Sequence, residues 1–567
     1  MRRDGLINKG LTGGGWRIGG LMLLLGLASI NTASAQRRSS DNALPQIAEI
    51  NRQISGVWDE YGLRPSEPAT DGEWCRRVYL DLIGRIPTVE ELEEFLGDRS
   101  RDRREKLVNM LLYDERYTED FARNWTTIWS NMLIGRTGGN DNNSMISREG
   151  MQKYLRDSFA RDVPYDQMVH ELIAASGSTQ PGSDDFNGAT NFLIDKVNEE
   201  NAAQATAAVS RLFLGLQVQC TQCHNHPFND WRQQKYWEMN AFFRQVRAQR
   251  IGGRGDNGGA RLVDQDFRGE GAGADISQAV LYYEERSGYS RTAFPVFVDG
   301  TEIGRDGRVE QVNRRQELAD LVVASEYFEK AAVNRMWGHF LGYGFTKPVD
   351  DLGPHNVPSH PELLDYLGGE FRKASFNTKT LMTWIVLSEP YALSSRMNSL
   401  NATDDPQLGE SPKFSHFYLR SMRAEELYES LIVATQAHLN RGSYEEQERQ
   451  KNMWLQQFTS AFGTDEGDEQ TTFNGTIPQI LMMFNGDLIR QATSERDGGF
   501  LDRLASGPLP GPKKIDYLYM AALSRKPDRQ EREMAQIFLE LHGNDPKKAL
   551  ADVWWLVLNG SEFIFNH

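Results

Sequence analysis

Cysteine is scarce in this sequence: three residues in 567. That density excludes a disulfide-stapled scaffold, in which many cysteines replace a core that is too small. Long apolar runs are missing too. Beyond the first few dozen residues no stretch reaches the about 20 residues that a membrane-spanning helix needs. Basic charge is in deficit, with 63 Lys and Arg against 79 Asp and Glu and a net charge of −16. That balance argues against nucleic acid or anionic lipid as a partner. No G-x-S-x-G elbow, phosphate-binding P-loop or G-x-G-x-x-G fingerprint occurs, and no short-period repeat. What remains is an ordinary globular composition, 39% hydrophobic and 25% charged, with length for roughly two to four domains.

Two of the three cysteines stand together, in Cys220-Thr221-Gln222-Cys223-His224. C-x-x-C-H is the spacing that attaches a c-type haem: each thiol bonds a vinyl group and the adjoining imidazole ligates the iron. Cys220, Cys223 and His224 are therefore the candidate cofactor-binding residues. The second axial ligand would come from elsewhere, a Met such as Met239 or another His. Phe228, Trp231, Tyr236, Trp237, Phe242 and Phe243 follow closely; they could line a porphyrin, though helical core packing explains most of them. Two other chemistries fit the same residues. Adding His226 to the set gives enough N and S donors for a tetrahedral zinc ion, with His224 and His226 as metal ligands, provided the chain bends sharply. A Cys220–Cys223 disulfide is the third, without a thioredoxin-like βαβ context. Cys75 is left over and reads as a small buried hydrophobe.

The N-terminus supplies context. Arg2, Arg3, Lys9 and Arg17 precede the apolar run 18–30, and Ala33-Ser34-Ala35 is an A-x-A cleavage site. This reads as a secretory signal peptide over 1–35, which predicts export to the periplasm or cell surface. An oxidising compartment commits a thiol pair to a disulfide, a metal or a haem.

After a polar tether at 36–45, helical periodicity runs over 46–247. Thr88-Val89-Glu90-Glu91 is a capping box that starts a helix through Phe95. Helices are expected near 147–161 and 166–175. Residues 251–275 are dense in glycine and read as a loop, with 279–284 and 294–299 forming a hairpin-like β element inside an insert at 248–312. A second helical unit occupies 313–567. In it, Leu318 to Phe340 forms one or two helices ending at Gly342, and Ser359-His360-Pro361-Glu362 reads as another capping box. The expected fold is mainly α, two helical domains joined by a Gly-rich insert with a short β element.

Several longer stretches carry a resemblance. Arg76 to Thr88 (RRVYLDLIGRIPT) and Arg211 to Phe243, which contains the cysteine motif, resemble the two ends of one domain. Asn334 to Trp337 (NRMW), Gly342 to Asp351 (GYGFTKPVDD), Pro358 to Leu364 (PSHPELL), Met422 to Leu427 (MRAEEL), Ile477 to Leu481 (IPQIL) and Leu558 to Phe565 (LNGSEFIF) resemble a second. Together they resemble a planctomycete-type secreted two-domain family. In it a cytochrome-c-associated domain of unknown function precedes a companion domain, also of unknown function. The resemblance implies a link to cytochrome c. Many members carry a further cytochrome-like module with its own C-x-x-C-H, and no second such motif occurs here. It also implies a secreted sulfatase-like protein as partner.

Other candidates are weaker. His355 and His360 share a loop region with Asp350 and Asp351, an imidazole and carboxylate group able to ligate metal or move protons; for His360, helix-start chemistry is the favoured explanation. His339 is a further candidate. Asp465, Glu466, Asp468 and Glu469 fit no EF-hand spacing and read as a solvated loop. The pairs Glu199–Glu200 and Glu425–Glu426 point to different helix faces and make poor catalytic dyads. Arg254-Gly255-Asp256 reads as a chance triplet. The leading expectation is an exported haem-c redox or electron-transfer protein with no substrate assigned. The alternative is a non-redox scaffold or binding protein whose cysteine motif is a structural metal site or disulfide, serving a sulfatase-like partner.

Overall fold

Helices begin where the sequence supplies caps. In a computed structural model that describes residues 44–139, 144–197, 202–227, 231–251, 259–439, 443–462 and 476–567, the first segment contains α1 (Pro45–Glu60), α2 (Asp71–Ile83), α3 (Val89–Gly97), α4 (Arg103–Tyr113), α5 (Glu115–Ile134), α6 (Arg148–Ala160), α7 (Tyr165–Ala174), α8 (Ala203–Leu214) and α9 (Gln233–Asn240). The capping box of α3 forms as expected: the Glu91 amide donates to Thr88 Oγ1 at 3.2 Å and the Thr88 amide donates to the Glu91 carboxylate at 2.7 Å. The signal segment at 1–35, Glu199 and Glu200, Phe228, the triplet 254–256 and the acidic patch 465–469 lie outside the described residues.

The glycine-rich stretch is more regular than its composition suggests. Strands β1 (Gly177–Ser178), β2 (Val246–Ile251) and β3 (Gly259–Asp264) form an antiparallel sheet in the order β1-β3-β2, with Val246 opposite Asp264 and Ile251 opposite Gly259. Residues 259–264, expected as loop, are thus a central strand. The short alternation that buries Ala260 and Leu262 is enough once both edges are paired. The second hairpin is also shifted. β4 (Leu281–Glu284) pairs with β5 (Ser290–Ala293), not with 294–299. Gly288, at φ 81°, lets the chain reverse early, and Pro295 has no amide hydrogen to give a ladder.

The second segment opens with α10 (Arg314–Ala324) and α11 (Glu326–Leu341), divided by Ser325, whose hydroxyl accepts from the Tyr327 amide at 3.2 Å. Gly342 ends α11 at φ 87°. Next is α12 (Pro361–Lys373), without the expected capping box. The Ser359 amide donates to the Phe345 carbonyl at 2.7 Å, and the Ser359 hydroxyl is held by His360 Nδ1 at 2.9 Å. Pro361 at the first turn starts the helix instead. Helices continue to Ser561–Ile564. The fold is mainly α, and among the described residues no helix is long and apolar enough to cross a membrane.

One hydrophobic core runs through both segments, and residues 44–567 pack as one unit. Its polar seam explains why 76–88 is so distinctive a stretch. Arg76 and Arg77 are buried in α2. Arg76 Nη2 donates to the Phe563 carbonyl at 2.8 Å. Arg77 donates to the carbonyls of Leu393 (3.0 Å), His567 (3.1 Å) and Tyr391. Burial lowers both guanidinium pKa values to about 10. One turn further on, Asp81 accepts from Arg420 at 2.6 Å and from the Tyr391 hydroxyl and Asn566 at 2.7 Å each. Arg76, Arg77 and Asp81 each have hydrogen-bonding partners in this core, as burial demands.

Candidate functional site

The cysteine motif is mounted where α8 ends. Gly215, at φ 63°, turns the chain out of the helix, and its carbonyl accepts from the Leu352 amide at 2.7 Å. At this φ an L side chain would be strained, and a Cβ would also press within 2.9 Å of the Leu352 side chain, so glycine suits the turn. A 3-10 turn over Gln219–Gln222 follows. Thr221 is its buried member, and its hydroxyl donates to the Val218 carbonyl at 2.6 Å. With Thr221 turned inward, Cys220 and Cys223 are exposed, and both are free thiols.

His224 is exposed beside them. Its Nδ1 lies 2.7 Å from the Asn225 carbonyl oxygen. A carbonyl can only accept, so Nδ1 carries the proton and the Nε2 lone pair is free to ligate. This is the tautomer a metal-ligating histidine uses, with the second nitrogen anchored to backbone.

The motif forms one wall of a cleft of 660 Å³ that is open to solvent. Cys223, His224 and Asn225 line that wall with Arg232, Gln233 and Gln234 at the start of α9. The opposite wall is the β4–β5 hairpin, with Tyr283, Glu285, Arg286, Ser287, Arg291 and Thr292. Gln233 joins the walls: its amide nitrogen donates to the carbonyls of Gln222 and Glu284, at 3.0 Å each. Trp237 adds a second tie, donating to the Gln222 carbonyl at 3.2 Å and stacking on Tyr283 at 5.8 Å between centroids.

A different group faces the other side of the motif. The rings of His226 and His355 are 5.0 Å apart, and His355 Nε2 is 3.1 Å from Asp351 Oδ2. Neighbouring Asp350 accepts from Arg211 at 3.1 Å and from Gln217 at 2.8 Å. The 350–355 loop is thereby clamped to the residues just before and just after the cysteines. Partial burial, reinforced by the Asp351 charge, pushes the Cys220 thiol above its ordinary range. Burial, with His355 second, holds His226 below the ordinary imidazole range. A raised thiol is a poor nucleophile at neutral pH.

The structure brings together Cys220, Cys223, His224 and His226 along one short segment and adds Asp350, Asp351 and His355. It does not gather them into a polydentate cage: among the described residues no three His, Cys, Asp or Glu side chains converge on a metal-binding position. Met239 is 1% exposed on the inner side of α9. Tyr236, Phe242 and Phe243 are core residues, and Trp231 is buried. His360 is also core, packed against Phe345 and Phe414, and burial lowers it to about 4. His339 is half-buried against Trp125 and near the Asp81 carbonyl, and desolvation pushes its pKa well down. Glu425 pairs with Arg136 at 2.8 Å while Glu426 caps its own helix through Arg423. The cleft's far wall was not foreseen, because its residues arrive through strand pairing about sixty positions away from the motif.

Two family models match the chain in order. The first is PSCyt2, a protein of unknown function (DUF1549), over residues 49–248. The second is PSD1, a protein of unknown function (DUF1553), over residues 314–539. Together they span about three quarters of the chain. The cysteine motif lies in the first match and Asp350, Asp351 and His355 in the second, so the site draws on both. No curated protein and no solved structure matches the chain.

Proposed function

Because the chain belongs to the family in which a PSCyt2 segment is followed by a PSD1 segment, we propose that it is an exported haem-c protein that carries electrons in the periplasm or at the cell surface. The observation that supports this reading most is the state of the motif: two exposed free thiols beside an imidazole whose Nδ1 is tied to backbone. Cys220 and Cys223 would hold the haem as thioethers, and His224 Nε2 would ligate its iron. Bound haem supplies one-electron redox chemistry. The chain's own contribution is orientation and electrostatics. The Asn225 carbonyl fixes the plane of the His224 ring. Gln233 and Trp237 hold the motif against the hairpin, and the open cleft keeps the site in contact with water, which is one of the terms that set a haem potential.

The rival is a non-redox scaffold for a secreted sulfatase-like partner. In it Cys220 and Cys223 close as a disulfide, or with His224 and His226 they hold a structural zinc. Chain exported by a host that attaches haem c separates the two. The haem reading expects a Soret band that survives acid-acetone extraction and disappears in Cys220→Ala and Cys223→Ala. A colourless protein with bound zinc, or with an intact disulfide by mass, overturns it.

A further inference from the structure

The stretch Ile477 to Leu481 has no part in the site around the cysteine motif. It opens the helix Ile477–Asn485 (IPQILMMFN), which buries Gln479 and Met483 and turns a different face to solvent. Ile477 is 74% exposed, Leu481 54% and Phe484 43%. Their spacing of i, i+4 and i+7 places them in one stripe along the helix. The stripe continues onto the helix Pro546–Leu558, because the rings of Phe484 and Trp555 are 5.6 Å apart between centroids. Trp555 and its neighbour Leu556 are 40% and 39% exposed. The five side chains leave roughly 500 Å² of apolar surface uncovered, near the upper end of what a monomer shows in one patch. The charge around the patch is as informative as its size. The helix Ile477–Asn485 has no charged residue, in a chain that is 25% charged with a net charge of −16. Charges at its edge are already paired within the chain: Asp487 with Arg490, and Asp552 with His542 at 2.7 Å.

We propose that this patch is the interface of a homodimer, with the helix Ile477–Asn485 of one copy lying against that of a second. A standard interface takes about 800 Å² from each partner, and a homodimer's is about 65% apolar, which is about 500 Å². The patch has that size. Charge selects the occupant. Two copies of an acidic chain repel each other. A twofold axis also sets residues near it close to their own mates, so a self-interface needs a centre free of like charge. The helix Ile477–Asn485 supplies one. A membrane surface fits worse: the net charge of −16 repels anionic headgroups, and this helix has no Lys or Arg to meet them. The dimer is independent of the haem reading and holds whether or not the cysteine motif carries haem.

Sedimentation velocity of the full chain, over a concentration series from low micromolar upward, compares wild type with Leu481→Glu, Ile477→Glu and the control Leu408→Glu. All three positions are exposed, Leu408 in the separate turn Pro406–Leu408. A thermal unfolding curve checks that each variant folds. Wild type and Leu408→Glu are expected to pass from monomer to dimer as concentration rises. Each patch variant should weaken dimerisation by about a hundredfold or more, because the interface would bury unpaired carboxylates from both copies. If one patch variant does not fold, the other decides. A wild type that stays monomeric throughout the series overturns the proposal. So does a monomer that floats with phosphatidylcholine vesicles, which assigns the patch to lipid. A wild-type dimer that both patch variants leave intact puts the contact elsewhere and overturns it as well.

Discussion

His226 and His355 stand ring against ring, 5.0 Å between centroids, although 129 positions of sequence separate them. One follows the cysteine motif in the first family segment; the other sits in the second, held by Asp351 at 3.1 Å. The contact is one of a set, with Leu352 to Gly215 and Asp350 to Arg211 and Gln217. The motif's surroundings therefore depend on the companion segment as much as on its own.

Asp350 is the strongest part of that clamp, since it is buried and accepts from two donors. Asp350→Ala is expected to cost about 2 kcal/mol, within the range for hydrogen bonds to a charged group. Urea unfolding measures it. The same variant should speed alkylation of Cys220, because the loop beside it is released. An unchanged midpoint together with unchanged alkylation would show that the clamp does nothing.

The three thiols should separate cleanly in haem-free protein. Cys220 and Cys223 are exposed, while Cys75 is fully buried, and burial drives its pKa well up. A thiol-specific reagent counted by mass should add two labels to the folded chain and a third only in denaturant. Three labels under native conditions would contradict the packing of α2.

His360 gives a stability that depends on pH. Its folded pKa is lowered to about 4, below the free value of 6.5. Between those values the unfolded chain binds the proton and the folded chain does not, so stability is lost as pH falls through that window. From pH 7 to pH 5 the loss is about 2 kcal/mol by this group. His360→Phe, which suits the Phe345 and Phe414 surroundings, should lose less over the same range. Paired denaturation curves at the two pH values decide it: equal losses in both proteins would remove His360 as the source.

Asp81 should be the costliest single position of the polar seam. Asp81→Ala leaves Arg420, Tyr391 and Asn566 without their shared acceptor. Breaking a buried pair by removing one partner costs about 3–5 kcal/mol. Thermal unfolding of the variant measures it, and a shift no larger than that of an exposed substitution such as Arg156→Gln would refute the assignment.

Local rules made part of this molecule legible in its sequence. The Thr88–Glu91 box and the stop at Gly342 need only neighbours, and they appear where spacing puts them. The Ser359 box fails because Phe345, fourteen positions earlier, claims its amide. β3 was hidden because two buried residues, Ala260 and Leu262, leave little alternation to read among glycines. At the site, the motif itself and the grouping of His355 with Asp351 were visible. His360, from the same stretch, points into the core instead. Arg232, Arg286 and Gln233 carried no sequence signal, since their meaning comes from strand register that brings residues 281–293 opposite the motif.

The anchoring of Arg76 and Arg77 has a consequence for the order of events during synthesis. The acceptor of Arg76 lies 487 positions further along the chain, and one acceptor of Arg77 lies 490 positions along. Until residues 563–567 are made, α2 carries two guanidiniums that lack these buried acceptors. The first segment then cannot close on its own as it emerges, and contacts of such long separation form slowly. The seam thus ties the burial of α2 to residues 563–567, almost the whole described length away.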